Sequence, residues 1–335
     1  MSSELKGKNV FITGVCGTVG RELFRQVVGA GASRVVGVDN NESDLFFLQQ
    51  DFHSEDAEFY LADLRDRDAL TLRMQGAEIV IHAAALKHVG LCEESPTQAV
   101  QTNILGTQNV IDASLANNVE RMIFTSSDKA VNPTNVMGTS KLMGERLVTA
   151  ASQSQRASET IFTSTRFGNV LGSRGSVIPL FKRQILAGGP ITLTDSEMTR
   201  FIMSLEEAVR LVLASVFLAA GGEVFITKMP VTRIDDLAIV MRDALADDSM
   251  QIKEIGAKPG EKMYEELMND EEVRRTHELD DFFVVLPPFM AAADHARYAY
   301  VADRPNPGHP YNSAHIAPLS RAELLDFLLE RGLLN

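Results

Sequence analysis

The sequence predicts an α/β protein with a doubly wound parallel sheet and a smaller C-terminal lobe. Strand and helix patterns alternate through the first half, a glycine-rich turn follows the first strand, and Gly, Ser and Pro become frequent after residue 168. Such alternation is typical of parallel strands covered by helices on both faces. The 335 residues leave room for about two domains.

Short apolar runs mark the individual strands. The six runs in the first half are 10–13, 34–38, 59–62, 79–85, 122–126 and 161–166. Helical periodicity fills the gaps, most clearly over 96–116 and 137–151. Two further apolar runs, 223–227 and 282–286, lie among acidic helical stretches in the second half.

Composition excludes several classes of protein. The 32 basic and 45 acidic residues give a net charge of −13, which disfavours binding to nucleic acid or to an anionic membrane. The two cysteines exclude a disulfide framework and fit a reducing compartment. The N-terminus lacks the apolar core of a secretory signal, and the most apolar stretch, 208–220, is too short to span a bilayer. We therefore expect a cytoplasmic protein without membrane insertion.

A GxxGxxG loop joins the first predicted strand to a helix. Glycines let the chain turn tightly, so that backbone N–H groups approach a pyrophosphate at the N-terminus of the helix. The position between strand and helix is the context that a dinucleotide fingerprint requires. The cofactor-binding residues predicted in this loop are Thr13, Gly14, Gly17, Thr18, Val19 and Gly20.

Acidic residues end the next two strands. Asp39 lies about 20 residues beyond the last glycine, where a carboxylate binds the ribose diol of NAD. Asn40 follows, and no Arg stands beside it to hold a 2′-phosphate, which favours NAD over NADP. Asp63 and Leu64 end the third strand and are expected to border the adenine. The alternative is an ordinary tight turn with carboxylates that cap helices. The glycine loop and Asp39 both stand at the spacing of a dinucleotide site, and this combination favours the nucleotide site.

These observations divide the chain into two functional parts. We predict a Rossmann-type NAD-binding domain over 1–170, with its sheet completed by parts of 201–230. The remainder, 171–335, is predicted to be mainly a substrate-binding lobe.

A polar strip follows the fifth predicted strand. It consists of Ser126, Ser127, Asp128 and Lys129. Ligands of open α/β sheets bind off the carboxyl ends of the strands. A hydroxyl, an acid and an amine side by side can bond a sugar hydroxyl, donate a proton and accept one. On spacing alone, a polar loop with a surface Asp–Lys pair is an equal alternative.

Met137 and Lys141 are four residues apart and share a face of the next helix. A Tyr at the first position would complete the YxxxK couple of the short-chain dehydrogenase/reductase superfamily, in which the phenolate takes a proton from a hydroxyl. Met cannot carry a proton.

Longer motifs extend the resemblance. The chain resembles the extended short-chain dehydrogenases/reductases and, within them, the bacterial UDP-N-acetylglucosamine 4,6-dehydratases of polysaccharide biosynthesis, with Met in place of the usual catalytic Tyr. The motifs that carry the resemblance, to about residue 286, are TGxxGxxG at 13–20, HAAALKHV at 82–89, TNILGT at 102–107, SDKAVNPTN at 127–135, RFGNVLGSRGSV at 166–177, MTRF at 198–201 and PGEK at 259–262.

The resemblance implies a redox-neutral dehydration. NAD takes hydride from sugar C4, a base removes the C5 hydrogen, the C6 hydroxyl leaves as water, and hydride returns to C6. The matching positions imply that Asp128 is the general acid and Lys129 the base at C5. Ser127 matches the group that binds the C4 oxygen, and Lys141 matches the ribose-binding lysine. A base must be neutral, so we expect burial or a nearby cation, such as Lys87 or Lys141, to lower the pKa of Lys129.

Met137 leaves the acceptor of the C4 hydroxyl proton open. The candidates are Asp128, Lys141 through water, and Ser127 through a relay. A subset of the family, chiefly larger membrane-attached relatives, also carries Met at this position. A degenerate site that binds without turnover is the alternative, and the intact Ser-Asp-Lys chemistry favours an active enzyme.

A UDP-sugar brings a doubly charged pyrophosphate, which the planar fork of Arg matches. The expected partners are Arg174, Arg200 and Lys258. The other expected substrate-binding residues are Lys87, His88, Asn169, Ser173, Ser176, Val177 and Glu261. The further cofactor-binding residues that the resemblance implies are Ala83, Ala84, Ala85, Lys87, Asn103, Ser126 and Lys141. No pair of histidines has metal spacing, so we expect no metal.

The sequence thus predicts an NAD-dependent UDP-N-acetylglucosamine 4,6-dehydratase for surface polysaccharide or glycan sugar biosynthesis. A UDP-sugar 4-epimerase shares the first hydride transfer but needs no elimination pair. A non-catalytic NAD- or nucleotide-sugar-binding protein is the third candidate, motivated by Met137. The apolar helices 102–116 and 137–151 predict a homo-oligomer, a dimer or a higher assembly, although they could equally pack inward.

Overall fold

A nine-stranded sheet forms the centre of the fold. The computed structural model describes residues 2–52, 54–154, 159–246, 249–257, 259–290 and 292–334. The strands in these ranges are β1 Asn9–Thr13, β2 Arg34–Asp39, β3 Ala57–Leu61, β4 Ile79–His82, β5 Arg121–Thr125, β6 Ile161–Arg166, β7 Asn169–Val170, β8 Ile191–Leu193, β9 Thr199–Met203, β10 Val224–Thr227, β11 Val231–Arg233, β12 Ile252–Glu254, β13 Glu266–Met268, β14 Thr276–Glu278, β15 Phe282–Val285 and β16 Tyr311–Asn312.

Helices connect the strands and cover the sheet. The α-helices in the same ranges are α1 Ser2–Leu5, α2 Thr18–Gly29, α3 Glu42–Asp51, α4 Arg67–Arg73, α5 Val89–Glu94, α6 Pro96–Ala99, α7 Gly106–Ala116, α8 Val136–Ser154, α9 Val177–Leu186, α10 Leu205–Leu218, α11 Ile234–Leu245, α12 Asp270–Val273 and α13 Arg321–Glu330. A π-helical segment spans Val100–Leu105, and 3₁₀ segments span Asp128–Ala130 and Ala292–Val301. None of the helices in the described part of the chain is long and apolar enough to cross a membrane.

The main sheet is mostly parallel. Its strand order is β14-β15-β10-β6-β5-β4-β1-β2-β3. Pairs from β3 through to β10 are parallel, and the two pairs at one edge of this sheet, β10 with β15 and β15 with β14, are antiparallel. The central strands are buried on both faces, which explains their nearly continuous apolar runs. The predicted doubly wound fold class is therefore confirmed.

The second half of the chain contributes to both parts of the molecule. Strand β10 joins the parallel sheet, and β14 and β15 extend that sheet. Three smaller sheets, β11-β9-β7, β12-β8 and β13-β16, lie beside it. A separate apolar core, with Phe181, Leu237 and Leu324 at its centre, joins α9, α11 and α13. The predicted boundary at residue 170 stays a prediction.

The helix expected over 96–116 is interrupted. Its middle turn is the π-helical segment Val100–Leu105, which lies between α6 and α7. Within this segment the Asn103 side chain bonds both the N–H and the C=O of Leu86, at 2.8 and 2.9 Å. The strand expected over 79–85 ends at His82, because the chain beyond it turns to meet Asn103. A π-turn of this kind is common beside functional sites.

A buried ion triad joins three parts of the fold. Arg166, at the end of β6, is almost fully buried and pairs with Glu145 on α8 at 2.6 Å and with Glu272 on α12 at 2.8 Å. Its guanidinium also donates to the carbonyl of Leu267 in β13. A guanidinium without water needs both carboxylates, so the triad holds the C-terminal segment against the sheet.

We predict that Arg166→Leu lowers the free energy of unfolding by about 3–5 kcal/mol, because it leaves two buried carboxylates unpaired. The matched control is Arg304→Leu, since Arg304 forms an exposed pair with Asp280 and should cost less than about 1 kcal/mol. Urea unfolding of both variants measures the difference. Equal losses would contradict the proposed dependence on the triad.

Candidate active site

One cleft of about 660 Å³ lies at the carboxyl ends of the central strands, between the main sheet and the smaller sheets. This volume is typical of a small-molecule site. The predicted site residues that line it are Gly14, Gly17, Thr18, Val19, Gly20, Ala83, Ala85, Lys87, His88, Ser126, Ser127, Lys129, Met137, Lys141, Asn169, Ser173, Ser176, Val177, Arg200 and Glu261. The structure therefore brings the glycine loop, the polar strip and the Gly/Ser-rich loops together.

The glycine loop is shaped by backbone contacts that leave no room for side chains. Gly14 has a φ of +75°, and a Cβ on it would lie 2.7 Å from the backbone of Ala84. A Cβ on Gly20 would lie 2.0 Å from the carbonyl oxygen of Gly14. Helix α2 begins at Thr18 with Gly17 at its N-cap, and no side chain caps it. Its first N–H groups are therefore free of a side-chain cap and can bind an anion.

A buried hydrogen-bond chain supports the floor of this loop. Thr13 Oγ1 lies 2.7 Å from His82 Nδ1 and accepts from the N–H of Ala84. Thr107 donates its hydroxyl to the carbonyl of Asn103, so its oxygen accepts from His82 Nε2, at 3.1 Å. The network assigns the Nε2–H tautomer. Burial lowers the pKa of His82 to about 3, so the ring is neutral.

The strand-end acids border the loop but do not line the cleft. Asp39 accepts from the N–H groups of Cys16 and Asn41, each at 3.0 Å, and so holds the loop and the turn after β2. Asp63 pairs with Arg65, which lowers the pKa of Asp63 to about 2. The predicted site residues outside the lining are Thr13, Asp39, Asn40, Asp63, Leu64, Ala84, Asn103, Asp128 and Arg174. Their predicted contacts with ligands stay predictions.

The polar strip forms a compact acid–base group. Ser127 Oγ donates to Asp128 Oδ1 at 2.5 Å. Lys129 Nζ lies 3.1 and 3.3 Å from the two carboxylate oxygens of Asp128. Within the strip, the Asp128 side chain is buried and does not line the cleft, whereas Ser127 and Lys129 do. The group can therefore exchange protons with a ligand in the cleft.

Glu265 completes this group and was not predicted. Its Oε1 lies 3.3 Å from Lys129 Nζ and 3.6 Å from Arg200 Nε. The carboxyl is buried, and it lines the cleft. The only sequence signal is its place just after the PGEK motif, among other acidic residues. Fold topology, rather than local pattern, brings it to Lys129.

The pKa of Lys129 differs from the expectation. Burial favours the neutral amine, but the carboxylates of Asp128 and Glu265 outweigh burial and raise the pKa of Lys129. The expected lowering is therefore wrong for this arrangement, because a second carboxylate lies beside the amine. Lys141 behaves differently: burial lowers its pKa to about 8, and its Nζ donates to the carbonyl of Thr125 at 2.9 Å.

Met137 occupies the position expected for a tyrosine. It lies in the first turn of α8, lines the cleft and packs with Cys92 and Ala99. Its thioether fills an apolar corner beside the strip and offers no proton.

The loop after β7 closes one side of the cleft. Lys87 Nζ donates to the carbonyl of Arg174 at 2.7 Å, and the N–H of Arg174 donates to Thr18 Oγ1. The Arg174 guanidinium turns out of the cleft to pair with Asp44 on α3. Arg200 donates to the carbonyls of Thr199 and Lys262 and thereby anchors the segment before β13. Lys258 lies outside the described residues.

A second helix N-terminus faces the same cleft. Helix α9 begins at Val177 with Ser176 at its N-cap, and the Ser176 side chain makes no capping bond. The Ser176 hydroxyl is buried without a hydrogen-bond partner among the described residues. The lining residues that were not predicted are Leu86, Val89, Thr125, Asn135, Phe167, Gly168, Val170, Leu171, Gly175, Gly260, Lys262 and Glu265. In the described ranges, no three His, Cys, Asp or Glu side chains gather as a metal site would require.

A family described as polysaccharide biosynthesis protein matches residues 10–287. The chain belongs to this family. Its relatives include a Methanocaldococcus jannaschii protein named "uncharacterized membrane protein", 47% identical over 86% of this chain and 88% of that one. A Campylobacter jejuni UDP-N-acetylglucosamine 4,6-dehydratase (inverting) is 37% identical over 84% and 83%. A Rickettsia rickettsii protein named UDP-glucose 4-epimerase is 37% identical over 82% of each chain.

Solved structures agree with the sequence relatives. Pen from Bacillus thuringiensis is 42% identical, with a TM-score of 0.91 over 98% of this chain and 99% of that one. DesIV, a dTDP-glucose 4,6-dehydratase from Streptomyces venezuelae with NAD bound, shares the fold at 22% identity, with a TM-score of 0.67 over 76% and 86%. The chain spans about half the length, 47%, of relatives from Bacillus subtilis and Staphylococcus aureus. The expected resemblance is confirmed: this member of the polysaccharide biosynthesis protein family is an extended short-chain dehydrogenase/reductase similar to nucleotide-sugar dehydratases and epimerases.

We predict that Gly20→Ala weakens the binding of NAD at least about tenfold, which corresponds to about 1.4 kcal/mol, since the new Cβ pushes the Gly14 carbonyl out of the cradle. The matched control is Gly29→Ala in the same helix, where a Cβ meets nothing within 4 Å. Titration calorimetry with NAD compares the two. Unchanged affinity in Gly20→Ala would contradict the predicted cofactor position.

Proposed function

We propose that the chain is an NAD-dependent UDP-N-acetylglucosamine 4,6-dehydratase of surface polysaccharide or glycan sugar biosynthesis. The observation that carries the proposal is the contiguous Ser127–Asp128–Lys129 group, which lies in one cleft with two helix N-termini that no side chain caps. A hydroxyl, an acid and an amine are the groups that C4 oxidation followed by elimination across C5 and C6 requires. The identity of 37% to the Campylobacter jejuni dehydratase supports this reading.

The glycine cradle fits a dinucleotide cofactor. Its Gly14 and Gly20 leave space that a Cβ would fill, and the N-terminus of α2 offers N–H groups to a pyrophosphate. Asp39 ends β2, the position from which a carboxylate of this fold binds the adenosine ribose of NAD, and its charge would repel a 2′-phosphate. Bound NAD supplies the acceptor for hydride from C4 and the donor that returns it to C6. Lys141 would hold the nicotinamide ribose.

The second helix N-terminus suits the pyrophosphate of the UDP-sugar. Helix α9 presents its first N–H groups and the unpartnered Ser176 hydroxyl to the cleft. Two pyrophosphates in one cleft need local cations in a chain of net charge −13, and Lys87, Lys129 and Arg200 line that cleft.

The contact between Ser127 and Asp128 offers a path for the C4 hydroxyl proton. With Met137 in place of a tyrosine, the Ser127 hydroxyl takes the proton from the sugar and passes its own to Asp128. Asp128, which does not line the cleft, then holds this proton and returns it through Ser127 to the departing C6 hydroxyl. The candidates for accepting the C4 hydroxyl proton are Asp128, Lys141 through water, and Ser127 through a relay. The relay is supported by the 2.5 Å contact between Ser127 and Asp128. Lys141 Nζ instead donates to the carbonyl of Thr125.

The remaining proposals concern setting and assembly. We propose a cytoplasmic homo-oligomer without a nucleic-acid partner. Exposed apolar side chains support association through this face: Val100 and Leu105 in the π-helical segment, and Met143 on α8.

A UDP-sugar 4-epimerase is the second candidate, since the Rickettsia rickettsii epimerase is as similar in sequence as the Campylobacter jejuni dehydratase. An epimerase transfers hydride from C4 and returns it to C4 on the other face. It makes no use of an acid–base pair at C5 and C6, so the Asp128–Lys129 group favours the dehydratase.

We predict that the protein converts UDP-N-acetylglucosamine in deuterium oxide to a product that has lost one water and carries deuterium at C5. Lys129 returns a solvent-exchanged proton to C5, and the deuterium therefore enters there. Mass spectrometry and proton NMR of the sugar measure both changes.

The Lys129→Ala variant is the matched comparison for that experiment, and it should bind NAD but lose elimination. A product of unchanged mass with inverted C4 would instead establish the epimerase. Retained NAD without any reaction would indicate the non-catalytic binding protein.

We predict that Ser127→Ala lowers kcat by about 10²–10⁴, because the C4 hydroxyl proton loses its path to Asp128. Ser127→Thr keeps the hydroxyl and should recover most of the rate. Ser33→Ala, in an exposed loop away from the cleft, controls for loss of a hydroxyl elsewhere. Full activity in Ser127→Ala would exclude the relay.

A further inference from the structure

We infer that Glu265 takes the proton of the Lys129 ammonium group and holds it while the neutral amine acts at C5. Glu265 is a positioning residue, because it acts through Lys129 rather than on the sugar. The inference rests on the proposed dehydratase reaction. It assigns a role to a buried carboxyl that the three expected groups, Ser127, Asp128 and Lys129, leave unexplained.

The backbone fixes Glu265 firmly at the edge of the cleft. Its N–H donates to the Ser313 hydroxyl at 2.9 Å, and its carbonyl accepts from the N–H of Ser313, also at 2.9 Å. The side chain is 3% exposed and points to Lys129 Nζ at 3.3 Å. Proton transfer over this distance needs no movement of the backbone.

The Glu265 carboxyl is poorly solvated as an anion. Its Oε2 is buried without a hydrogen-bond partner among the described residues, and its Oε1 faces Lys129 and Arg200. Burial raises the pKa of Glu265, although the two cations that face the carboxyl oppose this effect. A carboxyl in such a place accepts a proton more readily than an exposed one.

Lys129 needs such an acceptor. The carboxylates of Asp128 and Glu265 favour its ammonium form, which has no lone pair and cannot remove the C5 hydrogen. Once Asp128 has received the C4 hydroxyl proton, one of the two negative charges beside Lys129 is gone. Glu265 is then the remaining carboxylate within hydrogen-bond distance of Nζ.

The protons balance over one turnover. An N–H bond of Lys129 breaks and an O–H bond forms on Glu265; the neutral amine then takes the C5 proton, and Asp128 gives its proton through Ser127 to the C6 hydroxyl, which leaves as water. After hydride has returned to C6, Lys129 returns a proton to C5. Glu265 then restores the ammonium group. The C4 hydroxyl proton leaves in the water, and no net proton enters or leaves the group.

The pH dependence of the rate tests this transfer. If Glu265 keeps the proton inside the cluster, the wild-type rate should be nearly flat between about pH 6 and about pH 9. Glu265→Gln cannot accept a proton, so Lys129 must lose its proton to solution before each turnover. We therefore predict that Glu265→Gln is about 10–100-fold slower near neutral pH and gains about tenfold per pH unit as the pH rises.

The control variant is Glu266→Gln, the neighbouring acid, which pairs with Lys262 and bonds Asn132 outside the group around Lys129. Its profile should match the wild type. Lys141 also titrates near this range, but it is unchanged in both variants, so the profile of each variant is compared with that of the wild type as a ratio at every pH. The groups that face Lys129 and Glu265 from other elements are Asp128 and Arg200, which are unchanged in both variants.

Two results would overturn the inference. A wild-type profile that itself rises about tenfold per pH unit would show that Lys129 releases its proton to solution, whatever the variant does. A flat Glu265→Gln profile at wild-type rate would show that Glu265 is not used. Neither result touches the proposed function, which fails only if the wild-type protein forms no dehydrated product. Should Glu265→Gln fail to fold, the wild-type profile alone decides.

Discussion

The pairing of Arg166 with Glu145 and Glu272 is the constraint on which the rest of the site depends. Each partner comes from a different part of the chain: the end of β6, the middle of α8 and the start of α12. A buried guanidinium is stable only with its carboxylates in place, so these elements cannot shift independently. The same arginine bonds Leu267, two residues beyond Glu265, and thereby fixes the distance from Glu265 to Lys129.

The charges of the acidic and basic groups in the site balance locally, although the chain as a whole is strongly acidic. The Asp128 carboxyl faces Lys129, and the Glu265 carboxyl faces both Lys129 and Arg200. Burial strengthens the coupling between these groups, so the protonation of one sets the charge state of the next. In the proposed reaction, a proton that moves from the sugar to Asp128 would therefore favour the neutral form of Lys129, because the charge on Asp128 is part of what keeps Lys129 protonated.

Much of the fold and part of the site follow from local sequence. Local sequence predicts strands β1 to β6, the glycine loop and the Ser-Asp-Lys strip, because each of these features lies within a few consecutive residues. The place of Glu265 cannot be predicted in this way, because the pairing of β13 with β16 and the Arg166 triad bring it to Lys129. The sign of the pKa shift of Lys129 was missed for the same reason. Arg174 shows the converse: its position in a loop of the cleft was readable, but its side chain pairs with Asp44.

The proposed proton path explains how the site can work with a methionine, rather than a tyrosine, at position 137. A tyrosine at this position on α8 would accept the C4 hydroxyl proton itself. The acid that protonates the leaving C6 hydroxyl would then need a proton from another source. In the proposed reaction the proton path lies at the end of the strand, where Ser127 delivers the C4 proton to Asp128 for use in the next step. Met137 then only has to pack against Cys92 and Ala99 and keep water from the strip. In the proposed reaction, Ser127 and Asp128 on the strand side thus replace the acid–base group that is missing from the helix, and Glu265 serves Lys129 beside them.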